Sequence, residues 1–160
     1  MPASADFRPT IVIDSREQTP LAFNRLASVV AGLDTGDYSI RGLETLFGIE
    51  RKTVPDLVAS VTTGRERFER ELARLRGHRF KRLLVVGCPG EIAAQHYRGN
   101  TSPKSVLHTL AAFEVRYDLP VVFEPTPETA AARIESWAFW FTRECLKTAD
   151  AIRDGCANVN

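Results

Sequence analysis

Thr10-Ile11-Val12-Ile13-Asp14 opens the patterned part of the chain, a short β-branched apolar run followed at once by Arg16 and Glu17. Such a run predicts a buried strand that delivers charged side chains to the loop at its end. A second apolar run extends from Val29 to Leu33. Gly36-Asp37 then predicts a turn, and Tyr38-Ser39-Ile40 alternates as a short strand does. Leu46 to Ile49 predicts the next strand, with Glu50-Arg51-Lys52 delivered at its end. Thr53-Val54-Pro55-Asp56 has the composition of a helix start, Thr53 as the cap and Pro55 and Asp56 in the first turn. That helix is expected to run to Gly64.

From Arg65 to Arg76, Phe68, Leu72 and Leu75 recur at helical spacing with charge on the other faces, and Gly77 ends the pattern. Leu83 to Val86 predicts a buried strand stopped by Gly87 and Pro89. Ser102-Pro103 opens a further helix in which Val106, Leu110, Phe113 and Tyr117 form one stripe. Pro120 to Phe123 predicts a last strand, and Thr126-Pro127-Glu128 starts a final helix that is expected to reach about Asp154. Strands in a short meander followed by strand–helix alternation imply an α/β architecture, a mixed sheet flanked by helices. The expectation is one domain over residues 1–160 with its core at about 9–150.

Composition narrows this picture. A chain of 160 residues with 44% apolar and 26% charged residues is globular. Lys and Arg number 21 against 20 Asp and Glu, so total charge does not announce a polyanionic partner. Locally it is different: between Arg65 and Arg82, Arg65, Arg67, Arg70, Arg74, Arg76, Arg79, Lys81 and Arg82 face only Glu66, Glu69 and Glu71. These cations read either as phosphate contacts that seat a duplex or as a solvated helix laced by pairs such as Glu66–Arg70 and Arg67–Glu71. The 3 cysteines are scattered and form no Cys-x-x-Cys pair, which argues against a disulfide framework or a zinc site. Met1-Pro2-Ala3-Ser4-Ala5-Asp6 lacks the pattern of a signal peptide, and no apolar stretch approaches a membrane span. The expected location is the cytoplasm, with no membrane association.

Three strand-terminal carboxylates, Asp14, Asp37 and Glu50, stand with Lys52 two residues beyond Glu50. Phosphodiester hydrolysis needs an aligned water, neutralisation of charge at phosphorus and help for the leaving oxygen. Carboxylates holding a hard divalent cation supply much of this, and a lysine can orient the water or stabilise developing charge. On a strand Glu50 and Lys52 project to the same face, and Arg51 points the other way. Taken alone, an Asp…Glu-x-Lys pattern also describes an ordinary solvated strand end.

The ordered set is more specific. Ile11-Val12-Ile13-Asp14-Ser15-Arg16-Glu17, then Gly36-Asp37-Tyr38, then Ile49-Glu50-Arg51-Lys52-x-x-x-Asp56 resembles the catalytic core of XPF-type structure-specific endonucleases. The resemblance continues through Leu57-Val58-Ala59-Ser60, Gly64-Arg65-x-x-Phe68, the strand at Leu83–Val86 and the Ser105–Pro127 stretch. It implies a restriction-endonuclease-like fold and a metal-dependent DNA endonuclease acting on branched, flap, fork or duplex DNA in repair or recombination. Asp37 and Glu50 would be the principal ligands of Mg²⁺ or Mn²⁺, with Asp14 lining the same site. Lys52 would position or polarise water; Arg51, Arg16 and Glu17 would organise the site or the scissile phosphate. Asp56 would cap its helix or tether Arg51 or Lys52. Arg65 is a candidate DNA contact beside Arg16 and Arg51.

Trp137, Phe139, Trp140 and Phe141 fall within five positions, which leaves the last helix apolar on more than one face. Members of the XPF-type family pack this end of the domain against a second subunit. A homodimer through the helices at Val106–Tyr117 and Ile134–Leu146 follows as an expectation, with Phe113, Trp137 and Trp140 at the interface. The chain carries no Gly-h-Gly hairpin signature of the helix-hairpin-helix modules found in larger relatives. A stand-alone nuclease domain of this kind, as in compact phage or prophage nucleases, would take its target from an adaptor or a helix-hairpin-helix-containing partner, or cut with loose preference. The alternative reading is a non-catalytic DNA-binding or dimerisation partner of an active nuclease.

Overall fold

The structure is a computed structural model and describes residues 7–156; the N-terminal stretch read for signal features, Met1–Asp6, and the polar tail from Ala157 lie outside it. Six strands form one sheet: β1 (Ile11–Asp14), β2 (Ser28–Ala31), β3 (Tyr38–Ile40), β4 (Phe47–Thr53), β5 (Phe80–Val86) and β6 (Val121–Glu124). Their order is β2-β1-β3-β4-β5-β6. β3 runs antiparallel to both β1 and β4, whereas β2 is parallel to β1, and β4, β5 and β6 are mutually parallel. Five helices cover the sheet: α1 (Val54–Val61), α2 (Arg65–Leu75), α3 (Pro89–Ala93), α4 (Pro103–Tyr117) and α5 (Pro127–Cys156).

Strand alternation sorts the core into two layers. Leu83 and Val85 of β5 face α1, α2, α3 and α4, where Leu57, Phe68, Leu72, Val106 and Phe113 pack. Leu84, with Phe47, Ile49, Ile11, Ile13 and Ile40, faces α5, which presents Ala130, Ala131, Ile134 and Ala138. The small alanines let the long helix lie close to the sheet while its aromatic residues reach round Phe80. Glu50 and Lys52 pair in register with Leu83 and Val85, so they share the α1–α4 face, and Arg51 shares the α5 face with Leu84.

The predicted elements are present, with shifted bounds: β5 begins at Phe80 and not Leu83, β2 spans Ser28–Ala31 and not Val29–Leu33, and three further differences bear on the site. β4 continues through Glu50-Arg51-Lys52 to Thr53 rather than ending at Ile49, because β5 pairs with it over that whole length. α1 stops at Val61, and Thr62-Thr63-Gly64 turn the chain into α2. The short α3 was not expected from the Gly87–Pro89 stop; Glu91 folds back to accept the Cys88 backbone N–H at 3.0 Å and starts it.

Phe113 corrects the expected interface. It is 1% exposed inside the chain's own core, edge-on to Phe68 at 6.0 Å and to Tyr117 at 5.6 Å, so its ring is unavailable to a second subunit. The stripe that carries it docks α4 onto the sheet. Trp137 is half-buried and packs against Phe80 at 5.6 Å, whereas Trp140 is 56% exposed.

Candidate active site

Gly36 and Asp37 form the tight connection that brings β3 against β4. Gly36 adopts φ +80°, and a Cβ there would meet the Ile49 carbonyl oxygen at 3.0 Å, so both conformation and space call for glycine. Asp37 then donates its backbone N–H to Ile49 O at 2.8 Å, and its Oδ2 accepts the Arg51 backbone N–H at 2.7 Å. This cross-strand tie fixes the Asp37 carboxylate beside Glu50. On the other side the Asp14 N–H donates to Asp37 O at 2.8 Å, so Asp37, just before β3, lies between Asp14 on β1 and Glu50 on β4.

Their side chains divide differently from their backbones. Both Asp14 oxygens are engaged: Oδ1 accepts the Leu33 N–H at 2.9 Å and Oδ2 accepts Arg16 Nε at 2.8 Å. Among the described residues no three Asp, Glu, His or Cys side chains converge as a metal-holding group. Asp14 therefore does not complete a three-carboxylate set with Asp37 and Glu50; it holds Arg16, whose second tether is Nη2 to Leu33 O at 2.5 Å. Burial opposes ionisation of Asp14, but the Arg16 and Leu33 hydrogen bonds outweigh it and hold its carboxyl below the usual value.

Asp37 and Glu50 are pushed the other way. Burial raises Asp37 to about 6, against the Arg51 N–H and the charge of Lys52, with Glu17 adding repulsion. Burial raises Glu50 to about 7, helped by the negative charge of Asp37 and opposed by Lys52. Lys52 Nζ lies 2.8 Å from Glu50 Oε1 and 5.3 Å from the centroid of the Phe68 ring. Its burial disfavours charge, yet Glu50 and then Asp37 outweigh this and raise its pKa, so Lys52 is an ammonium near neutral pH. One lysine thus faces two carboxylates that repel each other. That is an electrostatic deficit of positive charge in a partly water-excluded place.

Arg51 lies on the opposite face, as alternation requires. It donates to Glu17 Oε2 at 3.2 Å and Oε1 at 3.1 Å, and to Thr19 O and Oγ1, each at 3.1 Å. Glu17 also accepts the Tyr38 hydroxyl at 3.4 Å, and Tyr38 Oη accepts the Leu21 N–H at 3.0 Å. The side chains of Arg51 and Glu17 are only 11% and 9% exposed. They latch the loop after β1. Asp56 accepts the Thr53 hydroxyl at 2.8 Å while its N–H donates to Thr53 Oγ1 at 3.3 Å; it is tied to its helix cap and not to Arg51 or Lys52.

Asp37 and Lys52 open onto a polar cleft of about 430 Å³ whose walls also include Arg16, Glu17, Arg51, Asp56 and, from α2, Glu71; buried Glu50 does not line it. Glu71 was not singled out in the sequence, where it appears as an ordinary helix-surface partner of Arg67; that pair forms at 3.1 Å. The side chain of Arg16 is 71% exposed at the same mouth. Arg65 lies outside this cleft, one residue past Gly64, which lines it; it packs over Phe113 and pairs with Glu69 at 3.4 Å.

The strand order and the helices on both faces define a restriction-endonuclease-like nuclease fold. Residues 13–136 match the ERCC4 domain, and the chain belongs to that family of nucleases. Among solved structures it is similar to XPF from Aeropyrum pernix, at 24% identity and a TM-score of 0.66, covering 89% of this chain and 69% of that one. It is likewise similar to the same organism's XPF in complex with DNA, at 25% identity and a TM-score of 0.68, covering 86% of this chain and 66% of that one. No curated protein sequence matches the chain. The XPF-type resemblance and the fold it implied are borne out.

Proposed function

We propose that this nuclease-family chain is a DNA endonuclease dependent on Mg²⁺ or Mn²⁺, with Asp37 and Glu50 as the protein ligands of the metal. The observation that carries the reading is the buried Asp37–Glu50 pair, short of positive charge, with Asp37 and Lys52 lining a polar cleft and Glu50 held against Lys52. Two oxygen ligands without a third acidic partner fit a hard cation that keeps several waters and takes up substrate phosphate. When bound, such a cation polarises water and neutralises charge on the phosphate.

The chain's own residues do the rest. Lys52, held as an ammonium by Glu50, is a proton-rich donor that can orient the attacking water or bind a phosphoryl oxygen. Arg16, tethered through Nε to Asp14 and through Nη2 to Leu33 O yet 71% exposed along its side chain, is placed to take a backbone phosphate. Arg51 and Glu17 position the loop that carries Arg16. The matched region, residues 13–136, supports reading the body of the chain as a nuclease domain. The relative bound to DNA supports DNA as the substrate class, and branched or flapped forms are the structures we propose it prefers.

A second copy of the chain is the proposed partner at Trp140, whose exposed ring lies over Arg143 at 5.3 Å from the guanidinium carbon to the ring centroid; an adaptor carrying helix-hairpin-helix modules would add targeting. Light scattering giving a monomer at micromolar concentration would remove the homodimer from this account. The enzymatic reading is tested by incubating the protein with labelled flap, fork and linear duplex DNA and either metal. Nicking that a chelator abolishes is the expected result. Inactivity on every substrate with both metals would overturn it in favour of a non-catalytic DNA-binding partner.

A further inference from the structure

Two shallow grooves continue from the catalytic cleft across the surface, and shared residues join them end to end. Gly64 and Arg67 line both the cleft and a groove of about 480 Å³ formed by the Thr62–Thr63 turn with Arg65, Glu66 and Arg70. Arg65 then lines both that groove and a third hollow of about 390 Å³, whose other walls are Ser102, Lys104, Ser105, His108, Thr109 and Ala112. This last hollow contains Arg65, Lys104 and His108, three hydroxyls and no carboxylate. Arg65 is seated at the junction by the Phe113 ring, 5.3 Å from its guanidinium carbon. Its partner Glu69 is shared with Arg116 at 3.0 Å, so the Arg65 charge is only partly compensated.

Two further cations on this route carry no carboxylate partner among the described residues: Arg70 on α2 and Lys104 in the first turn of α4. Unpaired cations beside hydroxyl groups, arranged along an open channel and not inside a pocket, match the chemistry of a phosphodiester backbone. Resting on the endonuclease reading, we propose that DNA leaving the Asp37–Glu50 cleft crosses the α1–α2 turn and continues onto α4. Its phosphates there contact Arg70, Arg65 and Lys104, with Ser105 and Thr109 as hydroxyl donors. The track reads backbone and not bases, so it adds affinity and holds one arm of the substrate in a fixed direction relative to the cleft.

The test is fluorescence anisotropy of labelled duplex DNA with a chelator present, titrated at several salt concentrations. Lys104→Ala and Arg70→Ala should each weaken binding about three- to tenfold at low salt and reduce the slope of log K against log salt by about 1. Lys147→Ala, an equal charge change far along α5, should leave the slope at the wild-type value. The track is overturned if wild type binds and cleaves but the Lys104 and Arg70 variants keep its slope, an outcome that leaves the endonuclease reading intact. It is also overturned if the Lys147 variant loses as much slope as they do. A wild type that neither binds nor cleaves DNA defeats both.

Discussion

Lys52 Nζ sits 2.8 Å from Glu50 Oε1 on one face of β4, while Arg51 between them turns its guanidinium to the other face and into Glu17. A single strand therefore separates a reactive pair from a scaffolding pair within three consecutive residues. Lys52→Met is expected to lower the nicking rate by at least ~100-fold, the scale seen when a preorganised donor to developing charge is removed. It also leaves Glu50 buried without its counter-ion, and thermal unfolding should report a loss of about 3–5 kcal/mol. Cleavage at the wild-type rate by a folded Lys52→Met protein would remove Lys52 from the reaction.

The carboxylate pair predicts an unusual pH response. Asp37 and Glu50 have folded values of about 6 and about 7 against ordinary values of 3.8 and 4.5. The folded chain therefore holds protons that the unfolded chain releases, and stability from these two groups falls as pH rises from about 4 to about 7. In metal-free buffer Asp37→Asn should be more stable than wild type at pH 8, by on the order of 1–2 kcal/mol, and the difference should vanish near pH 4. Mg²⁺ should raise the wild-type melting temperature more at pH 8 than at pH 5. Equal metal-induced shifts at both pH values would contradict a carboxylate pair that binds cation in place of protons.

Arg51 and Glu17 act on the loop between them. Replacing the forked guanidinium in Arg51→Lys breaks the multiple hydrogen bonds that hold residues 17–19, and Glu17→Gln removes one of the two acceptors of the fork together with its charge. Trypsin should then cut faster after Arg16 in the folded protein, several-fold relative to wild type. Unchanged digestion at that bond would show that the loop is held elsewhere.

How much of this was legible depends on how local each cause is. The Gly36-Asp37 turn was readable because a positive φ selects glycine within the turn itself. The opposite orientations of Glu50 and Arg51 followed from strand period alone. Asp14 was readable as a strand end but not as the holder of Arg16, because the Leu33 N–H that orients it lies 19 residues away and reaches it only through the β1–β2 pairing. Phe113 looked available to a partner because its stripe cannot reveal which face of α4 meets the sheet. Glu71 is invisible locally for the same reason: only the packing of α2 brings it to the cleft.

Glu135 is the clearest such case. It is 4% exposed on α5 and accepts the backbone N–H groups of Asn24, Arg25 and Leu26 at 2.9, 2.7 and 3.0 Å, from 109 to 111 residues away. Burial raises its pKa, but Arg25 and those N–H groups reverse the effect and hold it below the usual value. Its contribution is therefore present above about pH 4 and is lost as pH falls below that. Glu135→Ala strands these buried donors and should cost about 2–4 kcal/mol in denaturant unfolding at pH 7, with the penalty shrinking as pH falls below the ordinary carboxylate value. A penalty below 1 kcal/mol at pH 7 would contradict the clamp.

The most direct measurement sets cleavage against binding in Asp37→Asn. Nicking of a labelled fork with Mg²⁺ and anisotropy on the same DNA with a chelator are measured for this variant and for wild type. Nicking is expected to fall by at least ~1,000-fold while metal-free DNA affinity stays within about threefold of wild type. Asp37→Asn that cleaves at the wild-type rate with Mg²⁺ would contradict the assignment of Asp37 and Glu50 as the metal-holding pair.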